Sequence, residues 1–87
     1  MMGFKPVVEI MLMNFMTVCS DMIVNHAAKL RYMSGGQVSV PLVLRAAVSS
    51  GIGMAAQHSQ SLEAWFAHVP GLVVVTPAAP DDNYGLL

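Results

Sequence analysis

Three short apolar runs constrain this chain more than anything else in it: Pro6-Val7-Val8-Glu9-Ile10-Met11-Leu12, Ser39-Val40-Pro41-Leu42-Val43-Leu44-Arg45 and Leu72-Val73-Val74-Val75. Each is rich in β-branched or aliphatic residues, bounded by turn formers, and too short to read as a helix. The second and third carry almost nothing polar, the pattern of parallel strands covered by helices on both faces. Proline opens the first run at a position where its missing N–H is tolerated. Glu9, inside that run, is either a solvated edge residue or one half of an ion pair.

Between the runs the period changes. Phe15, Val18, Cys19, Met22, Ile23, His26/Ala27 and Leu30 follow the i, i+3, i+4, i+7 spacing of an amphipathic helix, with Asn14 as its cap and Thr17, Asp21, Asn25 and Lys29 on the opposite face. Ser34-Gly35-Gly36 supplies the glycine that a left-handed helix end requires. A loop of small residues runs from Ala46 to Gln57, long enough to suggest a functional rather than a merely connecting segment. Ser61 to His68 reads as a short helix with Ser61 at its cap and Glu63 in its first turn, stopped by Pro70-Gly71. Pro80 to Leu87 begins a further helix on Asp81 and Asp82, and its end on Leu86-Leu87 suggests a helix that is cut rather than finished. Strand, helix, strand, loop with helix, strand, helix predicts an α/β domain: a three-layer parallel sheet with flanking helices.

Composition narrows the functional classes. In 87 residues, 55% are hydrophobic and only 10% charged, against about 25% charged in ordinary soluble domains. A chain this short buries only roughly 60–65% of its unfolded surface, so one small domain with this much apolar side chain suggests a piece of a larger body or a subunit with a broad buried interface. The net charge of −1 and the lack of any basic cluster argue against a nucleic-acid partner or an anionic membrane surface. Glu9, Asn14, Ser20 and Asp21 interrupt the apolar region from Val7 to Val24, so no membrane span and no signal peptide is expected. The single cysteine, Cys19, excludes an internal disulfide framework and is read as a buried thiol in a reducing compartment.

Ligands of parallel α/β sheets bind at the carboxyl ends of the strands. Phe15 lies just beyond the first strand and His58 in the loop beyond the second, so the pattern places an aromatic ring and an imidazole at one sheet edge. His58 is either an acid–base group or ligand, for which imidazole is chemically suited near neutral pH, or a loop histidine bonded to backbone. His26 is read as a core or interface residue, His68 as a helix-end histidine favoured by the dipole, and Trp65 and Phe66 as packing or interface residues. No HxxH, HExxH or CxxC spacing indicates a metal. Gly51-Ile52-Gly53 lacks the third glycine and the strand-to-helix context of a dinucleotide loop, and neither Ser59 nor Ser61 sits in a nucleophile elbow.

The blocks Pro6-Val7-Val8-Glu9-Ile10-Met11, Asn14-Phe15, Ile23-Val24-Asn25-His26-Ala27-Ala28-Lys29, Tyr32-Met33-Ser34-Gly35-Gly36-Gln37, Val40-Pro41-Leu42-Val43-Leu44-Arg45 and Gln57-His58-Ser59-Gln60-Ser61-Leu62-Glu63-Ala64-Trp65-Phe66-Ala67-His68, followed by Pro70-Gly71-Leu72, together resemble the beta subunit of the thiamine-diphosphate-dependent 2-oxoacid dehydrogenases. That subunit belongs to the decarboxylating first component of the pyruvate, branched-chain and acetoin complexes. The resemblance covers essentially the whole chain, and its last block is highly specific.

The resemblance implies that residues 1–87 form part of a transketolase-like pyrimidine-binding domain, lacking the family's N-terminal part and C-terminal domain. It implies oxidative decarboxylation of pyruvate or a related 2-oxoacid with acyl transfer to lipoamide. The implied cofactors are thiamine diphosphate with magnesium, shared with an alpha subunit, and potassium. The implied partners are the alpha subunit, in an alpha-2 beta-2 heterotetramer, and the lipoyl acyltransferase component. By resemblance Phe15 packs against the cofactor's aminopyrimidine, His58 is the catalytic histidine, and the Leu42 carbonyl ligates potassium. Location would be cytoplasmic in a bacterium and the mitochondrial matrix in a eukaryote. Several departures stand out. The glutamate of the family's cofactor site falls upstream of Met1, Ala46-Ala47-Val48-Ser49 replaces a Pro/Gly-containing loop, Ala79 stands where a better helix cap is usual, and Tyr84 stands where lysine is usual. They motivate a rival expectation, a non-catalytic chain acting only in subunit association.

Overall fold

The structure, a computed structural model, describes residues 2–48, 51 and 53–86. Ser49, Ser50, Ile52 and the Leu87 end of the last helix, which figure in the expectations above, lie outside the described residues. The elements are β1 (Val7–Ile10), β2 (Val43–Ala46) and the helices α1 (Leu30–Met33), α2 (Glu63–Ala67) and α3 (Pro80–Leu86). A 3₁₀ turn over Met13–Thr17 and a π-helical turn over Met22–Ala27 lead into α1.

β1 and β2 pair in parallel, Val7 opposite Val43 and Ile10 opposite Ala46, joined by the crossover that parallel strands need. The ladder is shorter than the apolar runs. Pro41 has no N–H to give, and the Leu42 N–H turns back to the Val40 carbonyl at 2.9 Å, so pairing starts at Val43. Glu9 faces Arg45 in register, and the Arg45 Nε lies 3.7 Å from Glu9 Oε2. Both side chains are largely exposed, so this pair fixes register more than it adds stability.

The α/β reading with a parallel sheet holds, but two of its details do not. Among the described residues the sheet has two strands; Leu72–Val75 follows as extended chain without a ladder. Nor are both sheet faces covered: Ile10, Leu44 and Ala46 pack against the core, while Val7, Val8 and Val43 remain exposed. A wholly apolar strand records the burial its sequence is suited to, and here Val73 stays 93% exposed. The surface totals 6773 Å², roughly 1,800 Å² more than a compact monomer of this mass presents and about twice the roughly 800 Å² that one partner contributes to a standard protein–protein interface.

The core is small. Met16, Ile23, Leu62 and Phe66 form it, with Ile10, Met13, Cys19, Val24, Leu44, Ala46 and Leu72 packed around it. The helical segment after β1 therefore buries a stripe one position away from the one its spacing predicts: Val18 and Met22 are exposed and Met16 is buried. The 3₁₀ turn has three residues per turn and the π turn carries one extra residue, closed by the Ala28 N–H to the Ile23 carbonyl at 3.0 Å, so the phase of an ideal α-helix is lost. His26, expected inward, faces solvent with its Nε2 3.4 Å from Asp21 Oδ2.

Helix ends follow the sequence unevenly. α1 closes as expected. Gly35 takes φ +62°, its N–H bonds to Tyr32, and the Gly36 N–H bonds to Arg31, the paired bonds of a Schellman end. Asn14 and Ser61 do not cap. Leu12 and Leu62 occupy those positions without side-chain hydrogen bonds. The Ser61 hydroxyl instead shares its proton between the Glu63 carboxylate oxygens, at 2.6 and 2.7 Å, which holds the Glu63 pKa below its ordinary value, aided by its own backbone N–H. That contribution is present at neutral pH and is lost as pH falls through the lowered pKa.

Candidate active-site edge

β1 ends at Ile10, and a tight turn at Met11-Leu12 throws the chain into the 3₁₀ turn that carries Asn14 and Phe15. The turn is fixed from both sides: the Met13 N–H bonds to the Ala47 carbonyl, just past β2, at 2.8 Å, and the Phe15 N–H bonds to the Leu12 carbonyl at 3.0 Å. Phe15 therefore stands at the carboxyl edge of the sheet, with 40% of its surface exposed.

The loop after β2 returns to the same edge. Its last turn runs from Ala55 to His58, where the His58 N–H approaches the Ala55 carbonyl at 3.4 Å. Ala55 holds φ +62°, a conformation that costs a residue with a Cβ on the order of 1–3 kcal/mol and that collects at functional sites. Met54 to His58 line a shallow open depression. The His58 and Phe15 rings meet edge to face, centroids 5.5 Å apart at 88°. An edge-to-face contact directs one ring's positive edge at the other's electron-rich face, so each ring fixes the other's plane.

A second contact ties the loop to the turn. Asn14 is buried, and its Oδ1 accepts the Gln60 backbone N–H at 3.3 Å while its Nδ2 donates to Gln60 Oε1 at 2.6 Å. The Thr17 hydroxyl donates to the Asn14 carbonyl at 2.7 Å. The Ser59 hydroxyl, also buried, has no hydrogen-bond partner among the described residues.

Phe15 and His58, singled out from sequence, are thus brought together. Leu42 is not: it immediately precedes β2 and so lies at the opposite edge of the sheet. Asn14 and Gln60 were missed as site residues. The available signal was a lone amide in the apolar run Leu12-Met13-Asn14-Phe15-Met16, since a buried polar side chain must find a partner. Among the described residues no group of three or more His, Cys, Asp or Glu side chains converges as a metal shell, and no helix is long and apolar enough to cross a membrane.

The sheet thus carries an aromatic ring and an imidazole in contact at its carboxyl edge. Over residues 1–87 the chain matches the model of the transketolase pyrimidine-binding domain, and it belongs to that family. More particularly, it is 53% identical over 85 residues to the acetoin:2,6-dichlorophenolindophenol oxidoreductase subunit beta of Cupriavidus necator, covering 98% of this chain and 25% of that protein. It is 52% identical over 85 residues to the mitochondrial pyruvate dehydrogenase E1 component subunit beta-1 of Oryza sativa subsp. japonica, covering 98% of this chain and 23% of that one. The pyruvate dehydrogenase E1 component subunit beta of Rhizobium meliloti is 48% identical over 87 residues, all of this chain and 19% of its own length. The chain thus spans about a quarter or less of the length of these relatives.

Proposed function

We propose that this chain is the part of a 2-oxoacid dehydrogenase beta subunit that supplies one wall of a thiamine diphosphate site, in an enzyme that oxidatively decarboxylates pyruvate or a related 2-oxoacid and passes the acyl group to lipoamide. The observation that carries the proposal is the edge-to-face pair of Phe15 and His58 at the carboxyl edge of the sheet, in a chain about half identical to such subunits along nearly its whole length.

The residues fit the cofactor in kind. The exposed part of the Phe15 ring offers an apolar face to a planar heterocycle, and His58 beside it offers a nitrogen able to give or take a proton. When bound, thiamine diphosphate supplies the electron sink that makes loss of carbon dioxide from a 2-oxoacid feasible. Phe15 orients, and His58 holds or moves the proton that acyl transfer requires at a ring nitrogen. The acidic ligands for magnesium are assigned to the alpha subunit, and the Leu42 carbonyl to a potassium ion at the far strand edge. The exposed valines of β1, β2 and residues 73–75 are assigned to interfaces of an alpha-2 beta-2 assembly, which the lipoyl acyltransferase component serves in turn. The site is completed by other chain, so these 87 residues alone are inactive.

Titration of thiamine diphosphate with magnesium tests this reading. A complete beta chain containing this segment, assembled with its alpha subunit, binds the cofactor saturably, and Phe15→Ala weakens binding by about tenfold, the loss of one aromatic contact. An assembled complex that takes up no cofactor favours the association-only role instead.

A further inference from the structure

We infer that Asn14 is a positioning residue for His58, acting through Gln60. The inference rests on the proposed role of His58 and adds a residue to it.

Among the described residues Asn14 is the buried polar side chain, 8% exposed, and its amide is committed in both halves. The Gln60 backbone N–H can only donate, so the atom facing it must be Oδ1. That choice turns Nδ2 toward the Gln60 side chain, whose Oε1 accepts at 2.6 Å. The interaction is therefore two-pronged and directional, gripping both the main chain and the side chain of one residue. It joins positions 46 residues apart and sits one residue before Phe15 and two after His58. Asn14 belongs to the turn anchored to the sheet by the Met13 to Ala47 bond; Gln60 belongs to the loop that ends in α2. The clamp thus transmits the sheet's position to the imidazole, and the Phe15–His58 contact lies just beyond it. A ring held only by its own loop would sample several placements, and misplacement by about 1 Å costs a reacting group up to roughly 100-fold in rate.

The test uses the complete beta chain assembled with its alpha subunit and loaded with thiamine diphosphate and magnesium. Two rates are measured with pyruvate: turnover coupled to lipoamide, and turnover coupled to 2,6-dichlorophenolindophenol, an artificial acceptor that bypasses acyl transfer. Asn14→Ala is expected to lower the ratio of the first to the second by about tenfold. Gln60→Ala keeps the main-chain bond and lowers the ratio less. Asn14→Asp restores most of it, because a carboxylate oxygen still accepts the Gln60 N–H and the Gln60 amide can turn its NH₂ to the other oxygen. Proportional loss of both rates in Asn14→Ala, without recovery in Asn14→Asp, would mean that Asn14 only supports the fold and would overturn the inference. An unchanged ratio in both Asn14→Ala and Gln60→Ala overturns it as well, even if Asn14→Ala assembles poorly. His58→Ala run in parallel separates the two levels: if it lowers the ratio and the Asn14 variants do not, the clamp inference alone fails. If His58→Ala leaves the ratio unchanged, the reading beneath it fails too.

Discussion

His58→Ala in the assembled enzyme is expected to lower lipoamide-coupled turnover by roughly 100-fold or more, the range that removal of a positioned acid–base group produces. The loss should fall on kcat, with the KM for the 2-oxoacid little changed, because the imidazole is assigned to proton handling rather than to holding substrate. His58 meets Phe15 edge to face, and it lies on the loop side of the core, outside the Met16, Ile23, Leu62 and Phe66 cluster. Assembly should therefore survive the substitution, and thermal unfolding of the variant complex checks that the lost rate is chemical. A variant whose coupled turnover matches the native enzyme would remove His58 from the mechanism.

Gly71→Ala is expected to be the most damaging small change to the fold. Gly71 holds φ +99°, where an L side chain is strained, and a Cβ built there collides with the Ala28 carbonyl oxygen. Neither side can give easily, since Ala28 is buried at the end of the π turn and the Lys29 ammonium donates to the Pro70 carbonyl at 2.7 Å. This is where the segment bearing α2 crosses the helical segment bearing Phe15, so a shift here propagates to both halves of the site. The strained backbone and the collision together should cost on the order of 3 kcal/mol or more, lowering the melting temperature of the assembled protein by roughly 2–4 °C. Gly35→Ala is the control. Its φ of +62° carries the conformational cost, but nothing stands within 4 Å of the added Cβ, so its effect should be about 1 kcal/mol. Equal melting temperatures for the two variants would show that the Gly71–Ala28 approach does not hold the segments together.

What the sequence made legible depended on whether a residue's role is local. The parallel pairing of β1 and β2, the glycine end of α1 and the placement of Phe15 and His58 at one edge follow from strand propensity, helix-end chemistry and the rule for parallel sheets, each readable within a few residues. The phase of the long helical segment was not legible, because a 3₁₀ start and a π turn leave the same residues on a different face. Leu72–Val75 was misread for a related reason: its apolar run records a preference for burial, and a strand also needs a neighbour to pair with. Asn14 shows the limit most clearly. Its type and position suit a helix cap, and its partner is Gln60, far along the chain; no local pattern distinguishes the two. The relation of the chain to the thiamine-dependent beta subunits was legible from whole motifs, above all the block from Gln57 to His68.

The most direct measurement of the central claim is turnover by a reconstituted complex. A complete beta chain carrying this segment, mixed with its alpha subunit, thiamine diphosphate, magnesium and lipoamide, should release carbon dioxide from pyruvate or a close 2-oxoacid, and omission of either subunit should abolish the release. A complex that assembles and binds cofactor yet decarboxylates no 2-oxoacid would contradict the account.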